Sequence, residues 1–174
     1  CLQSMPSPLH LDILYDEHAP ALFGFLLNLT RNEADTRDLM QELFCKLASK
    51  PEQLRDVKEM RAYLIRLSHN LAIDLMRRAS TRQKYHDGFA SEMKEVFASS
   101  PNPDEQAFHR ALDAALGELP PEQRSVVHLK LWGEFTFEEI AQILEIPLNT
   151  AASRYRYGLD KLRERLRPLY DEIQ

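Results

Sequence analysis

Apolar residues recur at helical spacing in three stretches of the first half of the chain. The first covers about residues 11–29, and a kink or break is expected near Ala19 because Pro20 lies inside it. The second begins after Asn32, a favourable N-cap residue, and ends before Pro51. The third covers about 59–79. Its apolar line is Met60, Leu64, Leu67, Leu71 and Leu75.

Four more helices are predicted in the second half. They cover about 104–117, Pro120 or Pro121 to Trp132, 137–144, and Pro147 or Asn149 to about Leu166. Thr136 and Glu139 have the spacing of a capping box at the start of the short helix 137–144. A short helix, a tight turn and a longer basic helix indicate a helix-turn-helix.

The pattern predicts an all-α protein with two small helical domains, one of three helices and one of four. Turn-forming residues and few apolar ones between the halves predict a flexible linker, in which Met93 to Ala98 could form a short helix or dock on a partner. Cys1 to Ser4 resemble a cloning remnant. The predicted segments are an extension 1–8, a domain 9–80, a linker 81–103, a domain 104–168 and a tail 169–174.

Composition excludes several classes of protein. The 174 residues are 44% hydrophobic, which excludes a wholly disordered chain. The densest apolar run, residues 22–27, is far shorter than the roughly 20 residues of a membrane-spanning helix. Two cysteines form no disulfide framework and no zinc pattern. We therefore expect a cytoplasmic protein with no metal, no cofactor, no catalytic site and no membrane insertion.

Charge is distributed unevenly along the chain. The formal net charge is −5, yet residues 58–84 carry 7 basic and 2 acidic side chains, and residues 149–168 carry 6 and 2. Each basic segment corresponds to one predicted helix. Such helices either bind a polyanion or simply present a solvated face.

Three groups of polar residues are candidates for binding. The last helix places Asn149, Ser153 and Arg156 opposite its apolar side, with Arg154 and Tyr157 beside them. In a helix-turn-helix, this part of the helix enters the major groove of DNA. Such a pattern also fits an amphipathic helix with a basic solvent face.

On the third helix, arginines with an aromatic and an amide side chain suit single-stranded nucleic acid. These residues are Arg61, Tyr63, Arg66, Asn70, Arg77 and Arg78. In a purely structural interpretation, Tyr63 belongs to the core and Asp74 pairs with Arg77 or Arg78. The second helix carries Asp38, Gln41 and Glu42 on one side, either as a solvated acidic face or as a docking face for a basic partner.

These residues resemble two regions of sigma-70-type RNA polymerase factors. Two segments resemble region 2. The first is Asp35-x-x-Asp38-Leu39-x-Gln41-Glu42-x-Phe44, and the second runs from Arg61-Ala62-Tyr63-Leu64-x-Arg66 through Asn70-Leu71-Ala72-Ile73-Asp74 to Arg77-Arg78. Two further segments resemble region 4. The first is Leu119-Pro120-x-Glu122-x-Arg124, and the second runs from Phe137-Glu138-Glu139-Ile140-Ala141 to Ile146-Pro147-x-x-Thr150-x-x-Ser153-Arg154. With a linker between them, residues 9–168 are similar to the extracytoplasmic-function (ECF) class.

The resemblance implies a role for each group of residues. Contact with the clamp of core RNA polymerase is implied for Asp38, Gln41 and Glu42. A role at the −10 promoter element is implied for Leu54, Arg61, Tyr63, Arg66, Asn70, Arg77 and Arg78, with Leu54 and Asn70 at the pocket for a flipped base. A role at the −35 element is implied for Asn149, Thr150, Ser153, Arg154, Arg156 and Tyr157.

The chain departs from the family pattern at four positions. Ala152 and Tyr157 replace residues that are often basic, and Leu54 replaces an aromatic residue. Glu145 stands where the turn usually has glycine, so a positive φ there costs about 1–2 kcal/mol.

The main hypothesis is a promoter-specificity subunit that binds core RNA polymerase and promoter DNA and promotes melting of the duplex. The alternatives are a sigma-like decoy that binds partner proteins, a helix-turn-helix repressor and, least favoured, an enzyme. An off state is also expected, in which an anti-sigma protein or the two domains themselves mask the basic helices.

Overall fold

The computed structural model describes residues 11–83 and 102–172, and side chains for 11–80 and 102–168. These residues form seven helices and no strand, as predicted for an all-α protein. The helices are α1 (Leu11–Thr30), α2 (Glu33–Ser49), α3 (Met60–Gln83), α4 (Pro103–Glu118), α5 (Pro121–Leu131), α6 (Phe137–Leu144) and α7 (Leu148–Glu172). A short 3-10 helix, Pro51–Leu54, precedes α3.

In the first domain, α1 packs against both α2 and α3. Pro20 lies inside α1, which continues unbroken to Thr30, so the predicted break near Ala19 does not occur. Proline removes one helical hydrogen bond. The buried Leu22 and Leu26, one turn apart, hold the next turn of the helix in the core.

The start of α2 follows the prediction. The Asn32 side chain accepts a 3.0 Å hydrogen bond from the Asp35 amide, and the helix ends before Pro51. Helix α3 differs in detail, since Leu64 is buried but the rest of the predicted apolar line is half-buried. Ile65 and Ala72 are buried instead, because α3 packs against α6 of the other domain as well as α1 and α2.

The second domain packs α4, α5 and α6 around α7. Its own core contains Ala115, Leu116, Leu119, Val127 and Leu162. Gly158 allows α7 to approach α5 closely, since a Cβ at this position would lie 2.6 Å from Val127 Cγ2.

The two domains share one continuous apolar cluster. Val126, Leu129, Phe135, Ile140 and Ile143 of the second domain join the buried residues of α1, α2 and α3. Two cores that the sequence separates by a linker are therefore packed against each other. Helix α3 extends to Gln83 and α7 to Glu172, into the predicted linker and tail. The predictions for residues 1–8 and Met93 to Ala98 lie outside the described residues.

Candidate nucleic-acid interface

The helix-turn-helix is fixed by local hydrogen bonds. The Thr136 hydroxyl accepts from the Glu139 amide at 3.2 Å, and Glu139 accepts from the Thr136 amide at 2.7 Å, which completes the predicted capping box. The turn places Glu145 at φ 55° and ψ 45°, the left-handed conformation expected from the family pattern. The Ile146 amide then donates to Ala141 O at 2.9 Å. These bonds orient the first turns of α7.

The expected −35 residues lie along the N-terminal half of α7. Asn149, Arg156 and Tyr157 are exposed, whereas Thr150, Ser153 and Arg154 are half-buried. The Arg156 guanidinium lies 5.1 Å from the centre of the Tyr157 ring. The Ser153 hydroxyl donates to Thr150 O at 3.1 Å. The helix therefore presents one arginine to solvent and holds the other, Arg154, closer to the protein.

Two of the expected −10 residues border a cavity between α2 and α3. Tyr63 and Asn70 line this cavity of about 280 Å³ together with Lys50, Gln53 and Leu67. It combines an aromatic ring, amides and an ammonium group, which can stack on a base and bond its polar edge.

Leu54 does not line this cavity. Its side chain is only 3% exposed and belongs to the apolar core, where burial of a leucine is favourable. The neighbouring Gln53 does line the cavity.

The remaining −10 residues lie along the rest of α3. Arg66 is 5.6 Å from the centre of the Tyr63 ring. Arg77 and Arg78 are exposed, and Arg77 lies 4.0 Å from Asp74, which fits the predicted pairing. Two such exposed groups interact only weakly, by about 0–1 kcal/mol.

The expected polymerase-docking residues form one exposed surface of α2. Asp38, Gln41 and Glu42 are all exposed. Glu42 pairs with Lys46 one turn later at 3.0 Å. Gln41 also borders a broad groove between α1 and α2. The three side chains are therefore accessible on the same side of the first domain.

Part of the expected −10 set lies at the contact between the domains. Arg61 of α3 lies 4.7 Å from the centre of the Phe135 ring. Arg61, Tyr63 and Arg66 line one groove with Glu134 and Glu139 of the second domain. Hydrogen bonds from Thr136 hold the pKa of Glu139 below its usual value, and the charges of Lys130 and Arg61 act in the same direction.

The pKa of His69 also indicates that the second domain lies close to α3. Its pKa is lowered mainly by burial, and the positive charge of Arg154 lowers it further, while a hydrogen bond with Asn70 opposes the shift. Arg154 of the expected −35 set therefore lies near the residue that precedes Asn70 of the expected −10 set.

Three polar residues that the sequence did not single out as a unit join the domains at this contact. Arg124 donates to Asn28 O and Leu29 O, at 3.1 and 3.2 Å, and so binds carbonyl groups at the end of α1. Burial lowers the pKa of Arg124 to about 10, and the nearby Arg31 charge contributes. Arg31 itself donates to both carboxylate oxygens of Asp113, at 2.8 and 2.6 Å.

Two family models match the chain, in the order expected. Sigma-70 region 2 matches residues 14–82, and Sigma-70, region 4 matches residues 109–162. The chain is 32% identical to the ECF RNA polymerase sigma factor SigL of Mycobacterium tuberculosis, over 90% of this chain and 88% of that protein. It is 31% identical to the RNA polymerase sigma factor CarQ of Myxococcus xanthus, over 92% and 91% respectively.

A solved structure supports the fold. The sigma factor RpoE from Bartonella quintana, solved in complex with the anti-sigma factor NepR, superimposes with a TM-score of 0.75 and 24% identity. The match covers 90% of this chain and 96% of that one. None of the helices within residues 11–83 and 102–172 has the length and apolar character needed to cross a membrane.

Proposed function

This chain belongs to the ECF class of sigma-70-type RNA polymerase sigma factors, and on that premise we propose how its residues divide the work of promoter recognition. As a member of this family, it is a promoter-specificity subunit of RNA polymerase. One observation carries the proposal: each basic helix, α3 and α7, lies in one of the two matched regions, in the order region 2 and then region 4. The decoy alternative is not favoured.

We assign recognition of the melted −10 element to α3. A flipped base occupies the cavity beside Tyr63 and Asn70, with stacking on the ring and hydrogen bonds from the amides. Arg61, Arg66, Arg77 and Arg78 bind the backbone of the displaced strand. Leu54 supports this cavity from the core, consistent with its burial.

We assign the −35 element to the start of α7. Asn149, Thr150 and Ser153 approach base edges in the major groove, and Arg154, Arg156 and Tyr157 contact the adjacent backbone. Asp38, Gln41 and Glu42 dock on core RNA polymerase, a role that suits their shared exposure on α2. The activity is binding and melting of DNA in the cytoplasm, with no catalysis by this chain.

The closed arrangement of the domains is an off state. Arg61 of the expected −10 set lies against Phe135 of the second domain, and the Arg154 charge is near His69, so in the closed arrangement the second domain obstructs the approach of DNA to this part of α3. Binding of promoter DNA at Arg61 and its neighbours on α3 therefore requires the domains to separate. An anti-sigma protein that binds either domain is the implied external regulator, as with the RpoE and NepR complex.

Run-off transcription with purified core RNA polymerase and a promoter library tests the proposed function. The intact chain is expected to direct initiation from a subset of templates. Arg154→Ala should weaken holoenzyme binding to those templates, with a smaller dependence on salt concentration. Arg163→Ala is the matched control, because Arg163 is an exposed arginine further along the same helix. Absence of directed initiation by the intact chain would overturn the proposal.

A further inference from the structure

His128 of α5 lies at the contact between the two domains. Asn28 Nδ2 of α1 donates to His128 Nδ1 at 3.0 Å, which requires a neutral ring with no proton on Nδ1. The Phe25 ring, also of α1, packs edge-on against the His128 ring, with 5.4 Å between the ring centres. Both contacts join the second domain to the first, so they exist only while the domains are closed.

A second histidine approaches the same phenyl ring from α3. The centres of the Phe25 and His69 rings are 6.5 Å apart. Burial lowers the pKa of His69, as described above, and the Arg154 charge on α7 adds to that effect. Phe25 therefore has one histidine of each domain beside it, and the closed arrangement favours the neutral form of His69 as well.

The charged groups nearest to His128 are cationic. Arg124, one turn earlier on α5, donates to Asn28 O at 3.1 Å. Arg61 of α3 lines the same cavity between the domains as His128 does. The side chains that α1 and α4 contribute to this cavity beside His128, Asn28 and Leu116, are uncharged. A positive charge on His128 would therefore meet like charges and neutral groups.

The carboxylates at this contact act on other residues. Asp113 of α4 pairs with Arg31 at 2.6 Å. Glu122 of α5 acts on His69, whose pKa it raises against the larger effect of burial. Neither carboxylate is therefore placed to stabilise a charged His128.

Protonation of His128 Nδ1 removes the hydrogen bond from Asn28, because both atoms then carry hydrogens. Rotation of the Asn28 amide would turn Oδ1 to the ring, but Nδ2 would then occupy the present position of Oδ1, which is buried and has no hydrogen bond to a described residue. The positive charge itself would remain away from water in the closed arrangement. When the domains separate, water replaces Phe25 and Asn28 at the ring and hydrates the charge.

The direction and size of the pH effect follow from these two environments. Burial lowers the pKa of His128 to about 4 in the closed arrangement, whereas a hydrated histidine has a pKa of about 6.5. The neutral ring therefore favours the closed arrangement above pH 6.5, and this preference is lost as the pH falls towards 4. Relative to pH 7.5, the ratio of open to closed protein rises by up to about 4-fold at pH 6.0 and about 10-fold at pH 5.5.

We propose that His128 makes the contact between the domains sensitive to acid, so that protonation of its ring separates the domains. His69 acts in the same direction from α3. The consequence for transcription rests on the off state proposed above: acidification exposes α3 and increases promoter binding. The opening is measured without polymerase or DNA, so its failure is distinct from failure of the proposed function.

Small-angle X-ray scattering of the full chain at pH 7.5 and 5.5 tests the opening. Carboxyl groups ordinarily titrate near pH 4, below this range. The measurement is made on the parent protein and on Asp113→Asn, which leaves Arg31 without its partner and so raises the open fraction at both pH values. The radius of gyration is expected to rise on acidification and to fall again at pH 7.5. A radius that stays constant in both proteins would overturn the proposal.

Substitutions of histidine in the Asp113→Asn background assign the effect. His128→Gln keeps a polar side chain that cannot be charged and should reduce the acid response, and addition of His69→Gln should abolish it. His18→Gln is the matched control, since His18 lies on α1 beside Glu17 of its own helix, and it should leave the response unchanged. An undiminished response in His128→Gln would overturn the role of His128.

An NMR titration of the His128 Cε1–H signal in the parent protein gives a second measurement that needs no substitution. The midpoint is expected below pH 6.5, because the closed arrangement opposes protonation. A midpoint at or above pH 6.5 would overturn the proposal, whatever the variants do.

Run-off transcription at pH 7.5 and 6.0 tests the regulatory step. The parent protein and His128→Gln are compared with the same core polymerase, so that the effect of pH on the polymerase cancels in their ratio. Transcription by the parent relative to His128→Gln should rise by up to about 4-fold at pH 6.0. Opening of the domains without this rise would overturn the regulatory role and leave the acid-sensitive contact in place.

Discussion

Replacing Asp113 by asparagine is expected to open the two domains. Asp113 of α4 and Arg31, at the end of α1, are 8% and 11% exposed, and they form an ion pair across the domain contact. Asparagine has nearly the same shape but no charge. Arg31 then stays buried in the closed arrangement with its positive charge uncompensated.

The size of the shift towards the open arrangement depends on how much the substitution destabilises the closed arrangement relative to the open one. Removing one partner of a buried ion pair costs about 3–5 kcal/mol, because the other charge is left unpaired away from water. In the open arrangement Arg31 is hydrated, so nearly all of that cost falls on the closed one. The Arg31 bond to the Asp113 main-chain oxygen, at 3.0 Å, persists in the variant. We therefore take the destabilisation of the closed arrangement as about 3 kcal/mol, which raises the ratio of open to closed protein by about 100-fold.

Small-angle X-ray scattering measures the opening. A compact chain of 174 residues has a radius of gyration of about 16 Å, and separation of the domains raises it. The control is Asp160→Asn, which breaks an ion pair with Arg163 at 3.6 Å in which both side chains are more than half exposed. That pair contributes about 0–1 kcal/mol, so its loss should leave the radius unchanged.

A double variant separates the buried charge from other effects of the substitution. Arg31→Gln together with Asp113→Asn leaves no unpaired charge, so it should be less open than Asp113→Asn alone. Equal radii of gyration for Asp113→Asn and Asp160→Asn would refute the reasoning, since the ion pair would then not hold the domains together.

Three further predictions concern stability. Gly158→Ala should lower the free energy of unfolding by about 1–3 kcal/mol in urea denaturation, because the new Cβ clashes with Val127, whereas Gly117→Ala has only ordinary contacts and should not. Burial lowers the pKa of His128 to about 4, so the unfolded chain takes up a proton below pH 6.5 that the folded chain does not. The free energy of unfolding should therefore fall by up to about 3 kcal/mol between pH 6.5 and 4, and His128→Gln should remove that decrease. Thr136→Ala removes the N-cap of α6 and should cost about 1 kcal/mol in thermal unfolding, with an unchanged result counting against the cap.

The helices and their ends could be predicted because their signals are local. The capping box at Thr136 and Glu139 and the N-cap at Asn32 each involve atoms within three residues of each other, and both are present. Of the kink or break expected near Ala19, the break does not occur, for a related reason. The local rule counts the lost hydrogen bond but not the burial of Leu22 and Leu26 after Pro20, which tertiary packing adds.

The residues that form the contact between the domains could not be predicted from the sequence, although an off state in which the domains mask each other was one expectation. Arg31 and Asp113 are 82 residues apart, and in the sequence each looks like an ordinary surface charge, Arg31 between two helices and Asp113 within one. Apolar periodicity identifies a face that is buried but not the element that covers it. Helices α1 and α2 and the second domain all pack against α3, and for this reason α3 buries Ile65 and Ala72. Part of the apolar line predicted for α3 stays half-buried.

The polar residues at this contact distinguish it from a permanent core. A core formed only by Leu129, Phe135 and Ile65 would hold the domains together without any need for charge. Arg124 instead bonds main-chain oxygens at the end of α1, and Arg31 pairs with Asp113. Water can satisfy all of these groups when the domains separate, so they add less to the net stability of the closed arrangement than apolar side chains of the same size would. A contact that is specific but not strongly favoured suits the off state proposed above, in which the domains separate when promoter DNA is bound.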